Sequence, residues 1–581
     1  MLRVPFLILI LVPYLGAYLI TWLFDLDISL LLKVFWGLHL ISIVMTVRLI
    51  WYYGDQIKPS DLLVACVLLL LFLVPGAYLE YPSDTWEHFR RIFRWSELGA
   101  IESYPDNSKY KFAYFWNYSI LCLFNLELRR IALDFCSAFW QLATCYQVYR
   151  LSKSLNCSRA LSYLNIFGFI ALFGTNVFNL RYYALSSTPL AYIVYIEIII
   201  IALQALRREN LYLLWHIPIL CVAIYFNHIQ ELLFLPLVLL PILLLHFDEK
   251  LGDRSRTLYR ASIATLIFVG FALGYYLVHY FPEVYANLTP GQVGRFGHLR
   301  IWNLDFKYYQ ETIGVAGLIG IILSILFFSK NKLFFALSLA PVFSLIYPPS
   351  VAVYAKLINT PYLTYRILYA VPLSFGFIGG LYYFFHYLSN YIKIFKLEWV
   401  KVFSASILLI GLSLSSDFPY RGKLFFQIYR VPAERELLAL DQTAFWFMKN
   451  RDIAKLRHCW ILTDNATRTL LATHLGMNEY YYGGEAIRRA RILPAREFMT
   501  TESILSFAEG KEDFCGVLVG IKEKLPVFSP SLVAQASGHW PEDIGDPRWL
   551  ISDEFVNASS ALVGKGWTRT FVPPCFYLYE N

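Results

Sequence analysis

Apolar runs about one bilayer long recur through the first 415 residues, separated by short polar stretches, and then give way to a mixed pattern. The runs fall near 2–21, 28–50, 61–79, 131–149, 160–178, 187–206, 211–226, 231–247, 260–281, 312–329, 333–347, 367–386 and 400–415. A helix needs roughly 20 residues to cross hydrocarbon, and several of these runs are shorter than that. The pattern predicts a polytopic α-helical membrane protein of about 13 transmembrane helices. The first run is longer than the apolar core of a secretory signal and no small-residue cleavage site follows it, so it reads as a span. The stretch 112–128 is only weakly apolar, with Tyr114, Trp116, Asn117 and Tyr118 ahead of Glu127, Arg129 and Arg130. It is expected to form an interfacial helix.

Beyond residue 416 the chain alternates helix-like stretches (435–450, 465–476) with strand-like ones (459–463, 515–521, 575–579) and carries turn signals at Gly483-Gly484 and Pro573-Pro574. This predicts two units: a membrane domain over 1–415, with outer loops at 80–130, 282–311 and 347–366, and a small α/β domain over 416–581.

Charge supplies the orientation. Basic residues gather in alternate loops, around Arg48, Arg150, Arg207, Arg256, Lys330 and Lys396. The positive-inside rule puts these loops and the N-terminus in the cytoplasm. An odd number of spans then puts 416–581 in the periplasm or an equivalent compartment of a bacterial inner membrane. Composition agrees with a membrane setting: 57% hydrophobic, 16% charged, 18% aromatic and a mean hydropathy of +0.50. The net charge of +8 is scattered through loops, which disfavours a nucleic-acid partner. Of the nine cysteines, Cys459, Cys515 and Cys575 lie in the outer unit, where a disulfide can form, and the sequence does not choose the pair.

On this topology three clusters carry candidate chemistry on the outer side. The first is Tyr81-Pro82-Ser83-Asp84-Thr85-Trp86-Glu87-His88-Phe89-Arg90-Arg91. A helix here puts Asp84 and His88 on one face with Glu87 beside them, a base and its charge partners, while Arg90 and Arg91 meet anionic phosphates. The same residues also make a helix-capping box with Asp84 as the cap. The second cluster is Asn227-His228-Ile229-Gln230-Glu231, where an acid and a histidine enter an apolar helix at a cost unless they face a cavity or a partner. The third is Tyr365-Arg366 at the start of the span 367–386, a phosphate anchor through its guanidinium or a snorkelling arginine. Arg181, Lys356 and the loop residues Arg295, His298 and Arg300 are weaker candidates. Glu197 reads as a lone buried structural acid on the cytoplasmic half. No serine-hydrolase elbow, phosphate-binding P-loop or zinc spacing is present, and the scattered carboxylates favour a reaction without metal or other cofactor.

The order of these parts resembles the GT-C superfamily of integral-membrane glycosyltransferases, which includes protein O-mannosyltransferases, lipid A aminoarabinose transferases and oligosaccharyltransferases. Asp84-Thr85-Trp86-Glu87-His88, Gly99 and the Tyr-rich segment from Tyr110 to Tyr118 carry the resemblance, with the late arginine and the C-terminal outer domain. The acidic loop follows two more spans than is usual in the superfamily. The resemblance implies an outer-face, inverting transfer of a sugar from a polyprenyl-phosphate-linked donor to a glycan, lipid or protein acceptor, among membrane lipids. Asp84 would be the base, with Glu87 and His88 beside it. Arg366 would hold the phosphate, backed by Tyr365, Arg181 and Lys356, and His228 and Glu231 would line the pocket. Two other readings are an O-antigen ligase or polymerase, and a transporter or flippase of lipid-linked glycans. The first would lack an early acid helix, and the second would show inverted repeats and midplane charges.

Overall fold

The computed structural model describes residues 6–24, 26–53, 58–73, 112–124, 126–173, 187–208, 210–280, 306–358, 366–368, 370–372, 374–413, 446, 450, 460–463, 500–510, 514–521, 553–573 and 576–581. The architecture is mostly helical, with a small sheet at the C-terminal end. Among the described residues the helices before the sheet are α1 (Phe6–Leu23), α2 (Ile28–Tyr53), α3 (Pro59–Leu73), α4 (Phe112–Leu121), α5 (Leu126–Ser154), α6 (Arg159–Phe173), α7 (Ser187–Arg208) and α8 (Ile217–Tyr225). They continue with α9 (Gln230–Lys250), α10 (Asp253–Tyr280), α11 (Phe306–Leu326), α12 (Lys332–Ile346), α13 (Pro348–Ile358), α14 (Ser374–Leu388) and α15 (Glu398–Ser413). Four of the described helices are long and apolar enough to cross a membrane, at Ile28–Arg48, Thr188–Arg207, Gln230–Lys250 and Asp253–Tyr276, and shorter apolar helices stand beside them.

The bundle is organised around α7. Its central run from Leu190 to Leu203 is buried on every side, which marks a helix that is apolar all round as the core of the domain. The one acid in that run has a partner. Glu197 accepts from Gln147 Nε2 at 2.9 Å and from Arg150 Nη2 at 3.1 Å, both on α5. The expectation of a lone acid is therefore corrected: buried carboxylates need a charge partner, and this one lies 47 residues away.

Close helix contact is made with small residues. A Cβ on Gly320 of α11 would lie 2.8 Å from the backbone nitrogen of Phe377, and one on Gly376 of α14 would lie 2.9 Å from the carbonyl oxygen of Gly320. Backbones that approach this closely leave room only for glycine.

Helix α4 differs from expectation. It is 10 residues long, too short to span at roughly 15 Å, and nine of the ten are buried against other parts of the protein. Its polar groups explain its place in the interior. Asn117 Oδ1 accepts from Trp140 Nε1 at 2.7 Å, and the Ser119 carbonyl accepts from Trp36 Nε1 at 2.8 Å. His39 of α2 bonds Ser119 Oγ through Nε2 and Tyr14 OH through Nδ1, each at 2.8 Å. Because Ser119 Oγ donates to the Trp116 carbonyl at 2.6 Å, His39 Nε2 is the donor to it and Nδ1 accepts from Tyr14. One neutral tautomer satisfies the network, so the buried polar groups are paired.

The C-terminal unit has strands β1 (Trp460–Thr463), β2 (Phe514–Gly520), β3 (Thr568–Val572) and β4 (Phe576–Glu580) in the order β1-β2-β4-β3, with β1 parallel to β2 and the other pairs antiparallel. Helices α16 (Thr501–Glu509) and α17 (Asp553–Ala561) cover one face through Ile504, Phe555 and Ala558 packed on Val517 and Val519. Leu518, Phe576 and Leu578 on the other face are also buried. Gly516 sits where β2 carries an extra residue against β1. Its φ is +141°, and a Cβ there would lie 2.4 Å from the Tyr579 carbonyl oxygen, so only glycine fits.

That extra residue is Cys515, which is disulfide-bonded. The six cysteines of the membrane domain are thiols, which leaves Cys459 or Cys575, both outside the described residues, as its partner. Strand register separates them. Phe576, the neighbour of Cys575 in sequence, pairs with Gly520 at the far end of β2, roughly 15–20 Å along the strand from Cys515 at ~3.3 Å per residue. Disulfide Cα atoms lie within about 7 Å of each other. Trp460 pairs with Phe514, the neighbour of Cys515. The expected bridge is Cys459–Cys515, and peptide mapping without reduction checks it; a peptide joining Cys515 to Cys575 would contradict the register.

Candidate functional site

The tight connection from α8 to α9 carries the second sequence cluster and also holds the start of α4. The Phe226 carbonyl accepts from Phe112 N at 2.9 Å, and Asn227 Oδ1 accepts from Ala113 N at 2.8 Å. These are two of the backbone donors that a helix leaves unpaired in its first turn. Asn227 Nδ2 in turn donates to the Ala223 carbonyl at 2.6 Å, which locks the side chain in place. Phe112 is the first residue of α4, so the start of that helix is pinned to the His228–Glu231 turn.

One step along, His228 Nδ1 donates to Glu231 Oε2 at 2.6 Å. Glu231 is 0% exposed, whereas the His228 side chain keeps 23% of its surface. The second carboxylate oxygen, Oε1, has no hydrogen-bond partner. Between them in sequence, Gln230 Oε1 accepts from Arg366 Nη1 at 3.0 Å, across 136 residues. The second and third sequence clusters are thus one site.

Arg366 does not sit on a helix start, as the sequence pattern suggested. It belongs to a separate single turn at 366–368, and α14 begins only at Ser374. Pro372 separates the two, since a proline disfavours helix in the residue before it. The segment is tied down from the core: Tyr195 OH of α7 donates to the Ala370 carbonyl at 2.7 Å.

Tyr354 of α13 completes the cluster. Its ring stacks on Phe234, one turn beyond Gln230 and Glu231, with centroids 5.9 Å apart and planes at 10°. Burial, and after it the Glu231 carboxylate, push the Tyr354 phenol well above the ordinary tyrosine range, against an opposing pull from Arg366. Its hydroxyl is therefore neutral at any working pH and contributes no pH dependence of its own.

No protein-family model matches the sequence, and no curated protein matches it. Solved structures do. The oligosaccharyltransferase of Archaeoglobus fulgidus, tethered to an acceptor peptide containing an NVT sequon, shares 12% identity over 83% of this chain and 72% of that one, with a TM-score of 0.46. The A. fulgidus oligosaccharyltransferase AglB with an inhibitory peptide and a dolichol-phosphate shares 13% identity over 84% and 72%, with a TM-score of 0.43. This chain is similar to archaeal oligosaccharyltransferase structures.

Of the site residues expected from the sequence, His228, Glu231 and Arg366 are brought together by the fold. Asp84, Glu87, His88, Arg90, Arg91, Arg181 and Tyr365, with Arg295, His298 and Arg300, lie outside the described residues. Lys356 lies on α13 two residues after Tyr354, and its side chain is outside the description. Sequence reasoning gave no role to Gln230 or Tyr354. Gln230 stood inside the cluster already singled out, but its partner was 136 residues away; Tyr354, one of 42 tyrosines, carried no local signal. Among the described residues no three His, Cys, Asp or Glu side chains gather into a metal site. Chemically, the cluster offers a guanidinium for an anion, a buried carboxylate paired with a histidine, and neutral donors beside them.

Proposed function

We propose that the chain is an inverting glycosyltransferase that takes a sugar from a polyprenyl-phosphate-linked donor at the outer face of the membrane. One observation carries the reading. Arg366, Gln230 and the His228–Glu231 pair form a single cluster, and Phe112, the first residue of α4, is hydrogen-bonded to the same turn. In this reading Asp84 takes the proton from an acceptor hydroxyl as its oxygen bonds to the anomeric carbon. The bond from that carbon to the phosphate oxygen breaks, and its electron pair leaves with the polyprenyl phosphate. The leaving group is already an anion, so cationic stabilisation matters more than a general acid. Arg366 supplies it, with Arg181, Lys356, Arg90 and Arg91 as further cations near the headgroups and Tyr365 beside Arg366. Glu87 and His88 support the base, and no metal is needed. The acceptor is a glycan, a lipid or a protein.

The matching topology has about 13 crossings, a cytoplasmic N-terminus and an outer C-terminal domain in a bacterial inner membrane. The disulfide at Cys515 supports an oxidising compartment for that domain. A donor carried by a lipid reaches an outer site from within the bilayer, where nucleotide sugars do not. The test is mass spectrometry of lipid that co-purifies with the protein, followed by transfer assays with polyprenyl-phosphate sugars. Retention of polyprenyl phosphate, bare or glycosylated, is expected. Protein that retains only phospholipid and transfers nothing from any such donor would end the reading.

A further inference from the structure

Three polar atoms of this cluster are buried without a hydrogen-bond partner: Glu231 Oε1, Gln230 Nε2 and Tyr354 OH. Buried polar groups are paired in the great majority of cases, and each orphan calls for an explanation. Glu231, Gln230 and Tyr354 are 0%, 8% and 3% exposed, so bulk water does not satisfy them. They are not scattered. Gln230 and Glu231 are adjacent in the first turn of α9, and Tyr354 stacks on Phe234 one turn along while lying within the field of both Glu231 and Arg366.

The chemistry of the three atoms narrows what they can hold. A carboxylate oxygen accepts only, an amide nitrogen donates only, and a phenol does both. A phosphate would be repelled by Glu231 and belongs on the Arg366 side. A hydroxyl both donates and accepts, so neighbouring hydroxyls on a sugar ring match this mixture. Resting on the transferase reading above, we infer that Gln230, Glu231 and Tyr354 form a subsite for ring hydroxyls of the sugar that the polyprenyl phosphate carries. Glu231 Oε1 accepts from one hydroxyl, Gln230 Nε2 donates to a neighbour, and Tyr354 OH closes the pair. His228 and Arg366 act as positioning residues, holding the Glu231 carboxylate by Oε2 and the Gln230 amide by Oε1 so that the other atom of each faces the sugar.

This arrangement makes an unusual demand of Tyr354→Phe. The hydroxyl has no partner in the free protein, so its removal should leave stability unchanged or raised. The same change should weaken binding of a glycosylated lipid by about 3- to 10-fold, the worth of one ordinary hydrogen bond. Glu231→Gln keeps the size and an acceptor for His228 but loses the charge, and should cost about 10- to 100-fold.

The experiment measures binding to the full chain in nanodiscs, with a C55 polyprenyl phosphate, bare or carrying glucose, galactose, mannose or arabinose. The wild type should bind at least one glycosylated lipid more tightly than the bare one. Tyr354→Phe and Glu231→Gln should remove that gain and leave the bare lipid within twofold. Equal loss for both kinds of lipid, no loss for either, no gain from any sugar, or a lowered melting temperature in Tyr354→Phe would each overturn the subsite. In those cases the phosphate reading stands if Arg366→Ala still weakens every lipid. A wild type that binds none of them would instead overturn the transferase reading itself.

Discussion

Asp84→Asn is expected to lower sugar transfer by ~10²–10⁴-fold, the usual contribution of a general base, while the protein folds and binds its donor as before. Asparagine matches aspartate in size and caps helices comparably, so an N-cap role would survive the change. It cannot accept the proton that must leave the acceptor hydroxyl. Asp84 lies outside the described residues; the first described residue after it, Phe112, has its amide hydrogen-bonded to the turn carrying His228 and Glu231. Single-turnover rates with pre-bound donor make the comparison, because they separate the chemical step from binding. An asparagine variant with near-normal rates would leave Asp84 as a cap and would move the search for a base to the His228–Glu231 pair.

Arg366→Ala should reduce turnover by ~10²–10³-fold, the loss seen when one donor to a developing anion is removed. Arg366→Lys should be intermediate, at about tenfold, since it keeps the charge and loses the bidentate fork. The structure sharpens this contrast. Nη1 of Arg366 donates to Gln230 Oε1, which aims the guanidinium; lysine has one nitrogen and no planar fork to aim. Rates at saturating donor, with melting temperatures in parallel, decide the matter. If lysine equals arginine, the side chain is only snorkelling, and the phosphate passes to Arg181, Lys356, Arg90 or Arg91.

Several elements could be read directly from local pattern. The apolar window 187–206 is the helix Ser187–Arg208, the window 231–247 is Gln230–Lys250, and the strand-like stretch 515–521 is Phe514–Gly520. Each rests on periodicity or on the length of an apolar run, properties contained within a few neighbouring residues. Strand β3 was not legible in this way. Thr568–Val572 is largely exposed, and pairing with β4 makes it a strand.

The helix Phe112–Leu121 shows where local reading stops. Its aromatic and amide side chains suit an interface, and yet Trp116 packs on Tyr14, Asn117 accepts from Trp140, and Ser119 bonds Trp36 through its carbonyl and His39 through its hydroxyl, all in the interior. Hydropathy counts a polar atom as costly to bury; only the partner in space cancels that cost. Glu197 was misread for the same reason, with its cation on another helix.

By itself the sequence determined that this is a membrane protein of many helices with strands near its C-terminal end, because burial in lipid demands long apolar runs and these are written in order along the chain. It also marked His228, Glu231 and Arg366, since ionisable groups beside apolar helices stand out. Tertiary structure alone decided that these residues meet, that Gln230 and Tyr354 join them, and that α4 is drawn inside. Those outcomes depend on contacts between residues far apart in the chain, set by how helices pack and which buried polar atoms find partners, and no local pattern encodes them.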